Sequence, residues 1–283
     1  MTDENNANCI RSRIWLEEAE PDNPFAARAA YCHGYDVYGE MLGHARWADM
    51  LYLLFRGEPP SRAQAKLLET LAVALANAGP RDPAVHAAMC GGAGGSTAAA
   101  CLIAALAVGA GQFSGGHEIF LAMQAWEICG TDPAAWRRFL SMPPDDRASI
   151  WPAPEHPPGF DPHGTGTTMP VRQTLACLAA LSPAPGLPWL EGNRALLEAA
   201  AGHPLAMSGV AAAALADLGF TSRQGEMLYL LLRLPGAAAH ALEQNDYGYK
   251  AFPFFSIDLE DDPGKQGPEK QGPEKQGKKE MPG

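Results

Sequence analysis

The chain has 283 residues, 47% of them hydrophobic and 19% charged, so it is long enough to bury a substantial core in one or two domains. Its formal net charge of −11 argues against nucleic acid or an anionic membrane as the main partner. No export signal is visible at the start of the sequence, and the longest apolar run, 98–110, is too short to span a bilayer. We therefore expect a cytoplasmic protein without a membrane segment.

Six cysteines lie far apart in the sequence, and none of them forms a CxxC motif or a cysteine–histidine pattern with the spacing of metal ligands. Scattered cysteines in a chain without an export signal are typical of reduced thiols. We therefore predict neither disulfide bonds nor a bound metal ion.

Apolar spacing and capping residues predict helices along almost the whole chain. The predicted helices cover 47–55, 61–79, a segment capped by Ser96 or Thr97, 118–128, a short helix from Asp132, 171–181, 194–201, 208–218 and 223–243, the last with a kink at Pro235. Residues 142–166 are rich in proline and glycine and are predicted to be mostly loop. No segment alternates like a strand, so the fold class is all-α.

The residues after Asp262 repeat the sequence GPEKQ and contain no aliphatic side chain that could build a core. Such a segment cannot bury enough apolar surface to offset its ordering entropy. We predict a disordered tail there.

Two stretches at opposite ends of the chain are more specific. Residues 34–61 read GYDVYGEMLGHARWADMLYLLFRGEPPS, and residues 216–244 read ADLGFTSRQGEMLYLLLRLPGAAAHALEQ. Together they resemble the citrate synthase family, and the resemblance extends over roughly 34–258. In its length the chain is most similar to the citryl-CoA lyase branch and to the citrate-synthase-like module of ATP-citrate lyase.

The resemblance implies a two-domain helical fold. The large domain would come from both chain ends, 25–113 and 214–262, and the small domain from the middle, 114–213. An N-terminal arm, 1–24, and the tail, 263–283, would lie outside them. In this family the active site lies between the domains and is completed by a second subunit, so a homodimer or a higher homo-oligomer is expected.

The resemblance also implies chemistry on an acyl-CoA thioester, with coenzyme A as part of the substrate and a small dicarboxylate or keto acid as its partner. Such a reaction needs a base and hydrogen-bond donors that stabilise an enolate oxygen. The first hypothesis is a lyase that converts citryl-CoA to acetyl-CoA and oxaloacetate. A condensing enzyme of the citrate or 2-methylcitrate synthase type is an alternative, and a non-catalytic member that binds acyl-CoA or assists assembly is another.

The family's histidine motifs are altered in this chain. Its HGGA-like motif corresponds to residues 114–117, where Ser114 replaces the histidine and His117 follows three residues later, either turned towards the cleft or packed and capping. Its PGFGHP motif corresponds to Pro158–His163 with one inserted residue, which makes His163 the best catalytic candidate. A further family histidine corresponds to Gly91, so ketone recognition as in citrate synthase is not expected.

The family's base is altered as well. Its NVDG motif corresponds to residues 206–209, so Ser208 stands where the family has the aspartate base. A serine hydroxyl is too weakly basic to remove a carbon-bound proton unaided. Ser208 could instead donate or relay a hydrogen bond, or make room for a bulkier substrate. Asp161 or His203 could supply the base, although Asp161 also suits a turn and His203 an exposed site.

Candidate binding residues follow from the same comparison. Arg172 and Arg233 correspond to arginines that hold carboxylates, for which the planar guanidinium is well suited. Lys250 would replace a late family arginine that reaches the neighbouring subunit's site. The backbone around Gly159 and Phe160 would contact the adenine of coenzyme A. Surface salt bridges are the alternative role for the three basic side chains.

Overall fold

The structure, a computed structural model, describes residues 10–141, 156–253, 255–257 and 259–260. The helices are α1 (Trp47–Arg56), α2 (Arg62–Leu75), α3 (Pro83–Ala93), α4 (Ala98–Gly109), α5 (Gly116–Cys129), α6 (Pro133–Ser141), α7 (Met169–Leu181), α8 (Gly186–Ala201), α9 (Met207–Asp217) and α10 (Ser222–Tyr247). The strands are β1 (Trp15–Glu20), β2 (Asn23–Cys32) and β3 (Tyr35–Asp36). Helices dominate, which confirms the all-α prediction. The predicted tail and most of the predicted loop 142–166 lie outside the described residues.

The three strands form a small antiparallel sheet in the order β1-β2-β3, which the sequence pattern did not predict. Trp15 pairs with Cys32 and Leu16 with Tyr31. The apolar positions of β2 are mostly alanine, and only the end of this strand is buried. The alternation of apolar and polar residues that would indicate a strand is therefore weak. The predicted boundary after residue 24 lies inside β2, and the domain boundaries stay predictions.

Helices begin where the sequence predicts when the capping residue is a close neighbour in the sequence. The N–H of Gln64 donates to the hydroxyl of Ser61 (3.2 Å) and the N–H of Ser61 donates to the side chain of Gln64 (2.9 Å), which confirms the predicted capping box. Thr97, rather than Ser96, caps α4, because its hydroxyl accepts from Ala100 N. The helix α2 ends at Leu75, short of the predicted Gly79.

The helix α8 begins at Gly186, eight residues before its predicted start at residue 194. Its first backbone N–H groups are satisfied from a distant part of the chain. The carboxylate of Asp217 accepts from Gly186 N (2.9 Å), from Leu187 N (2.8 Å) and from Ser182 Oγ (2.7 Å). Neighbouring residues give no sign of this cap, so the local pattern placed the start too late.

The helix α3 was not predicted, and its last turn contains two glycines, Gly91 and Gly92. The carboxylate of Asp82 caps its start by accepting from Ala84 N and Val85 N. Gly92 is buried inside α3 and lets this helix approach α10 closely. A Cβ atom at Gly92 would lie 2.8 Å from the carbonyl carbon of Ala241.

Two apolar cores share the helix α10. The larger core contains side chains of α1, α2, α5 to α9 and the first half of α10. The smaller core consists of Val85, Ala88, Cys101, Ala105, Ala237 and Ala241, from α3, α4 and the second half of α10. Pro235 lies between the two halves of α10, and the N–H of Gly236 donates to the carbonyl of Ala76 at the end of α2 (2.7 Å).

The two ends of the chain pack together. The hydroxyl of Tyr52 in α1 donates to the carbonyl of Leu218 (3.1 Å), and the side-chain amide of Gln224 in α10 donates to the carbonyl of Phe55 (2.6 Å). These contacts join the two stretches that carry the family resemblance. Within the described residues, no helix is long and apolar enough to cross a membrane.

Candidate active site

A single carboxylate is buried where three segments of the chain meet. Glu118 is 2% exposed and lies in the first turn of α5. Its Oε1 accepts from the hydroxyl of Ser208 (2.7 Å) and from the N–H of Gly159 (2.9 Å). Its Oε2 accepts from the N–H of Ser114. The structure therefore brings Ser114, Gly159 and Ser208, three of the sequence-predicted site residues, to one side chain that the sequence pattern did not indicate.

The start of α5 explains how Glu118 reaches these partners. Gly115 is the N-cap, so Glu118 is the third residue of the helix and its side chain reaches back to the N–H of Ser114. A negative charge in the first turn is also favoured by the helix dipole. Ser114 has φ +56°, an uncommon conformation for a residue other than glycine.

Two glycines bring the loop at 159 against the start of α9. Gly159 has φ +90°, and a Cβ atom there would lie 2.9 Å from the Cα of Gly209. The carbonyl of Gly159 accepts from Ala206 N (3.0 Å), and Phe160 forms an isolated antiparallel bridge with Leu205. This contact places the Gly159 N–H and the Ser208 hydroxyl on the same carboxylate oxygen.

Arg233 and Tyr229 contact the other side of the network. The carbonyl of Ser114 accepts from Arg233 Nη1 (2.9 Å) and from the hydroxyl of Tyr229 (3.4 Å). The guanidinium of Arg233 also lies 4.8 Å from the centre of the Tyr229 ring. Burial raises the pKa of Tyr229 to about 12, a rise that Arg233 opposes and that Glu118 and Asp82 reinforce.

Arg233, a predicted carboxylate-binding residue, already has a carboxylate partner within the chain. Its Nη2 pairs with Asp82, and both side chains are 12% exposed. A substrate carboxylate that binds Arg233 would therefore compete with Asp82.

His163 and Asp161 contact each other in a turn. The carboxylate of Asp161 accepts from the backbone N–H of His163 (2.9 Å), which is the contact of a turn residue. The side chain of His163 is exposed. Among the residues that the structure describes, no hydrogen bond or ion pair joins the His163 imidazole to Glu118 or its three donors.

The remaining candidates lie apart from this network. Arg172, in the first turns of α7, and Lys250, in a short 3-10 turn, are both exposed. The ring of His117 stacks on Phe120 at 5.6 Å, in agreement with the packing alternative. The ring of His203 is half-buried and lies 6.3 Å from the ring of His156. The catalytic role of His163 and the substrate-binding roles of Arg172 and Lys250 stay predictions.

The predicted contact with coenzyme A also stays a prediction. The side chain of Phe160 is 3% exposed and belongs to the larger core. The N–H and the carbonyl of Gly159 are both hydrogen-bonded within the chain. Across the described ranges, no three histidine, cysteine, aspartate or glutamate side chains are grouped so that they could hold a metal ion.

Comparison with solved structures defines the class of fold: the chain has the citrate synthase-like fold. It is similar to citryl-CoA lyase from Hydrogenobacter thermophilus, with a TM-score of 0.67 and 18% identity over 96% of this chain and 97% of that one. It is also similar to ATP citrate lyase from Methanothrix soehngenii in complex with citrate and coenzyme A, with a TM-score of 0.64 and 17% identity over 89% of this chain and 42% of that one.

A third similar structure is the ternary complex of citrate synthase from Thermoplasma acidophilum with carboxymethyl coenzyme A and oxaloacetate. The TM-score is 0.58, with 16% identity over 84% of this chain and 59% of that one. No protein-family model and no curated protein sequence matches the chain. At these identities the likeness shows the fold alone.

Proposed function

We propose that this protein is an acyl-CoA carbon–carbon lyase that cleaves citryl-CoA to acetyl-CoA and oxaloacetate. The observation that carries the proposal is the convergence of Ser114, Gly159 and Ser208 on the carboxylate of Glu118. These three positions come from three separate motifs of the resemblance, and they meet within one fold that is similar to citryl-CoA lyase over nearly the full length of both chains.

The proposed roles follow the chemistry of enolate formation. Ser114 and Ser208 supply hydrogen bonds near the reacting atoms, and His163 polarises or protonates the carbonyl that develops negative charge. Arg172 and Arg233 hold the carboxylates of the substrate, with Arg233 released from Asp82 as the substrate binds. The neighbourhood of Gly159 and Phe160 receives the adenine of coenzyme A. No metal ion is required for any of these roles.

The direct test is a coupled assay in which citryl-CoA is the substrate and malate dehydrogenase consumes the released oxaloacetate with oxidation of NADH. We expect activity in the wild-type protein and a loss of at least about 100-fold for His163→Ala, as for a general acid–base residue. His44→Ala is the matched control, because His44 is exposed and lies outside the network. No turnover of citryl-CoA by the wild-type protein would overturn the lyase proposal.

A condensing enzyme of the citrate or 2-methylcitrate type is the second candidate, supported by the similarity to citrate synthase. It is distinguished by the release of free thiol from acetyl-CoA or propionyl-CoA with oxaloacetate. Binding without turnover is the third candidate. It is favoured by the serine at 208 and by the internal pairing of Arg233 with Asp82. Micromolar affinity for acetyl-CoA in calorimetry, with no reaction in either direction, would support that candidate.

The proposed enzyme is a homodimer in the cytoplasm, and the helix α4 is the surface that we assign to the interface. The helix contains only apolar residues and glycine, and its exposed face includes Ile103, which is 65% exposed. Light scattering is expected to give the mass of a dimer for the wild-type chain and of a monomer for Ile103→Glu. A monomeric wild-type chain would overturn this assignment.

A further inference from the structure

We propose that the hydroxyl of Ser208 transfers protons in the lyase reaction and that Glu118 is the carboxylate that accepts them through Ser208. This inference rests on the proposed function and goes beyond it, because it names a carboxylate that takes the role of the family's aspartate base, which Ser208 replaces in this chain. In this scheme Ser208 contacts the substrate, and Glu118 acts through Ser208 by accepting its proton and returning it.

The geometry of the pair favours transfer. The hydroxyl of Ser208 donates to Glu118 Oε1 at 2.7 Å, a normal length for a hydrogen bond from a hydroxyl to a carboxylate. Both residues are buried, at 4% and 2% exposure, so competing water does not weaken the bond. A serine held in this way has a proton acceptor behind it, which an isolated serine lacks.

The charge of the pair is unusual in this protein. Among the residues that the structure describes, Glu118 is the only aspartate, glutamate, lysine or arginine that is buried. Within the described residues it forms no ion pair, and it accepts hydrogen bonds from two backbone N–H groups and from the Ser208 hydroxyl. Burial of a carboxylate without an ion-pair partner is costly, so its position beside predicted site residues points to a function.

In the proposed reaction a proton passes from the substrate hydroxyl through Ser208 to Glu118, and then back to the product. The tertiary hydroxyl of the substrate gives its proton to Ser208 as Ser208 gives its own to Glu118. The electron pair of that O–H bond forms the ketone, the adjacent carbon–carbon bond breaks, and its electrons form the enolate of the acyl-CoA. Glu118 then returns the proton through Ser208 to the enolate carbon. The hydroxyl oxygen and this carbon are bonded to the same atom in the substrate, so one hydroxyl group can serve both.

Access to Ser208 sets a condition on the proposal. Ser208 is covered by the loop that contains Gly159, whose carbonyl accepts from Ala206 N. The substrate reaches the hydroxyl only when this loop moves away from the start of α9, while Glu118 and Ser208 stay paired. Movement of this kind is common where an active site must exclude water during the reaction.

The test compares Ser208→Ala, Glu118→Gln and the double variant Glu118→Gln/Ser208→Asp, with Glu191→Gln as the matched control on an exposed glutamate. We expect each single variant to lower kcat about 100-fold to 10,000-fold, the usual range for acid–base catalysis, with KM changed by less than about threefold. The double variant moves the carboxylate to position 208, where the family has its aspartate, and should recover at least about tenfold in kcat. A purely structural role for Glu118 predicts no such recovery.

Folding is checked by thermal unfolding of each variant. Glu118→Gln leaves the N–H of Ser114 without its acceptor, so we expect this variant to be less stable. If it does not fold, Ser208→Ala tests the proposal by itself, because that variant removes only one hydroxyl. A kcat for folded Ser208→Ala within threefold of the wild type would overturn the proposal. So would a loss in Glu118→Gln that the double variant does not recover.

A hydrogen-exchange experiment distinguishes failure of the lyase proposal from failure of the proton-transfer proposal. If the wild-type protein cleaves no citryl-CoA, the exchange of the acetyl-CoA methyl hydrogens with deuterated water is followed by nuclear magnetic resonance. Exchange that is present in the wild type and lost in Ser208→Ala supports the proton transfer without the lyase reaction. No exchange in the wild type overturns both proposals.

Discussion

Replacing Gly92 with alanine should force α3 and α10 apart. The new Cβ atom would lie 2.8 Å from the carbonyl carbon and 3.0 Å from the Cα of Ala241, and closer still to its carbonyl oxygen. Carbon atoms in ordinary contact are about 3.5–4.0 Å apart, so the two helices must separate by about 1 Å. Both partners are helical backbone, and neither can turn away as a side chain could.

The expected cost follows from two opposing effects. Overpacking of a well-packed core costs about 1–3 kcal/mol, and the upper end applies here because backbone atoms collide. Alanine gains about 1 kcal/mol over glycine in helix propensity. The net loss in the free energy of unfolding is therefore about 2 kcal/mol. Gly192→Ala in α8 is the matched control, because nothing lies within 4 Å of its Cβ position. It should gain about 0.5–1 kcal/mol.

Thermal unfolding followed by circular dichroism measures both changes. At roughly 2–4 °C per kcal/mol for a domain of this size, the Tm should fall by about 4–8 °C for Gly92→Ala and rise by about 1–4 °C for Gly192→Ala. A Gly92→Ala protein that is helical and at least as stable as the wild type would refute the close approach of α3 and α10.

Three further predictions concern polar groups that connect distant parts of the chain. Asp217→Ala should cost about 2–4 kcal/mol in urea unfolding, because two backbone N–H groups at the start of α8 lose their acceptor; a cost below 0.5 kcal/mol, typical of a surface change, would contradict it. Burial alone would raise the pKa of Glu198, but hydrogen bonds led by those of Thr167 and Arg194 outweigh it and lower the pKa from 4.5. Its stabilisation is thus present above pH 4.5 and lost as the pH falls through the lowered pKa, so the stability difference between wild type and Glu198→Gln should shrink from pH 6 to pH 3; a constant difference would exclude this role. Tyr52→Phe should cost about 1–2 kcal/mol in the same unfolding assay, because a buried carbonyl of the 217–220 turn loses its donor, and an unchanged midpoint would contradict that.

Features that depend on neighbouring residues could be predicted from the sequence, and features that depend on distant ones could not. The capping box of Ser61 and Gln64 lies within one helical turn and was predicted correctly. The start of α8 was placed too late because its cap, Asp217, is 31 residues away from Gly186 in the sequence. The helix α3 was missed because Gly92 serves a contact with α10, which local propensity cannot show.

The candidate site shows the same division. The resemblance indicated Ser114 and Ser208 as separate replacements of family residues, each weak by itself. Their shared partner, Glu118, lies 90 residues from Ser208 and reads locally as an ordinary acidic residue in the first turn of a helix. Only the packing of α5 against α9 brings the three together. The interpretation of Asp161 as a turn residue, in contrast, needed only its own loop.

The helix α10 couples the two apolar cores. Leu228 and Leu232 belong to the larger core, and Ala237 and Ala241, about one to four turns later in the same helix, belong to the smaller one. If either core loses the α10 side chains that it contains, the helix that the other core also uses is disrupted. Unfolding should therefore be a single cooperative event, in which amide protons of α3 and of α5 exchange with solvent at similar rates.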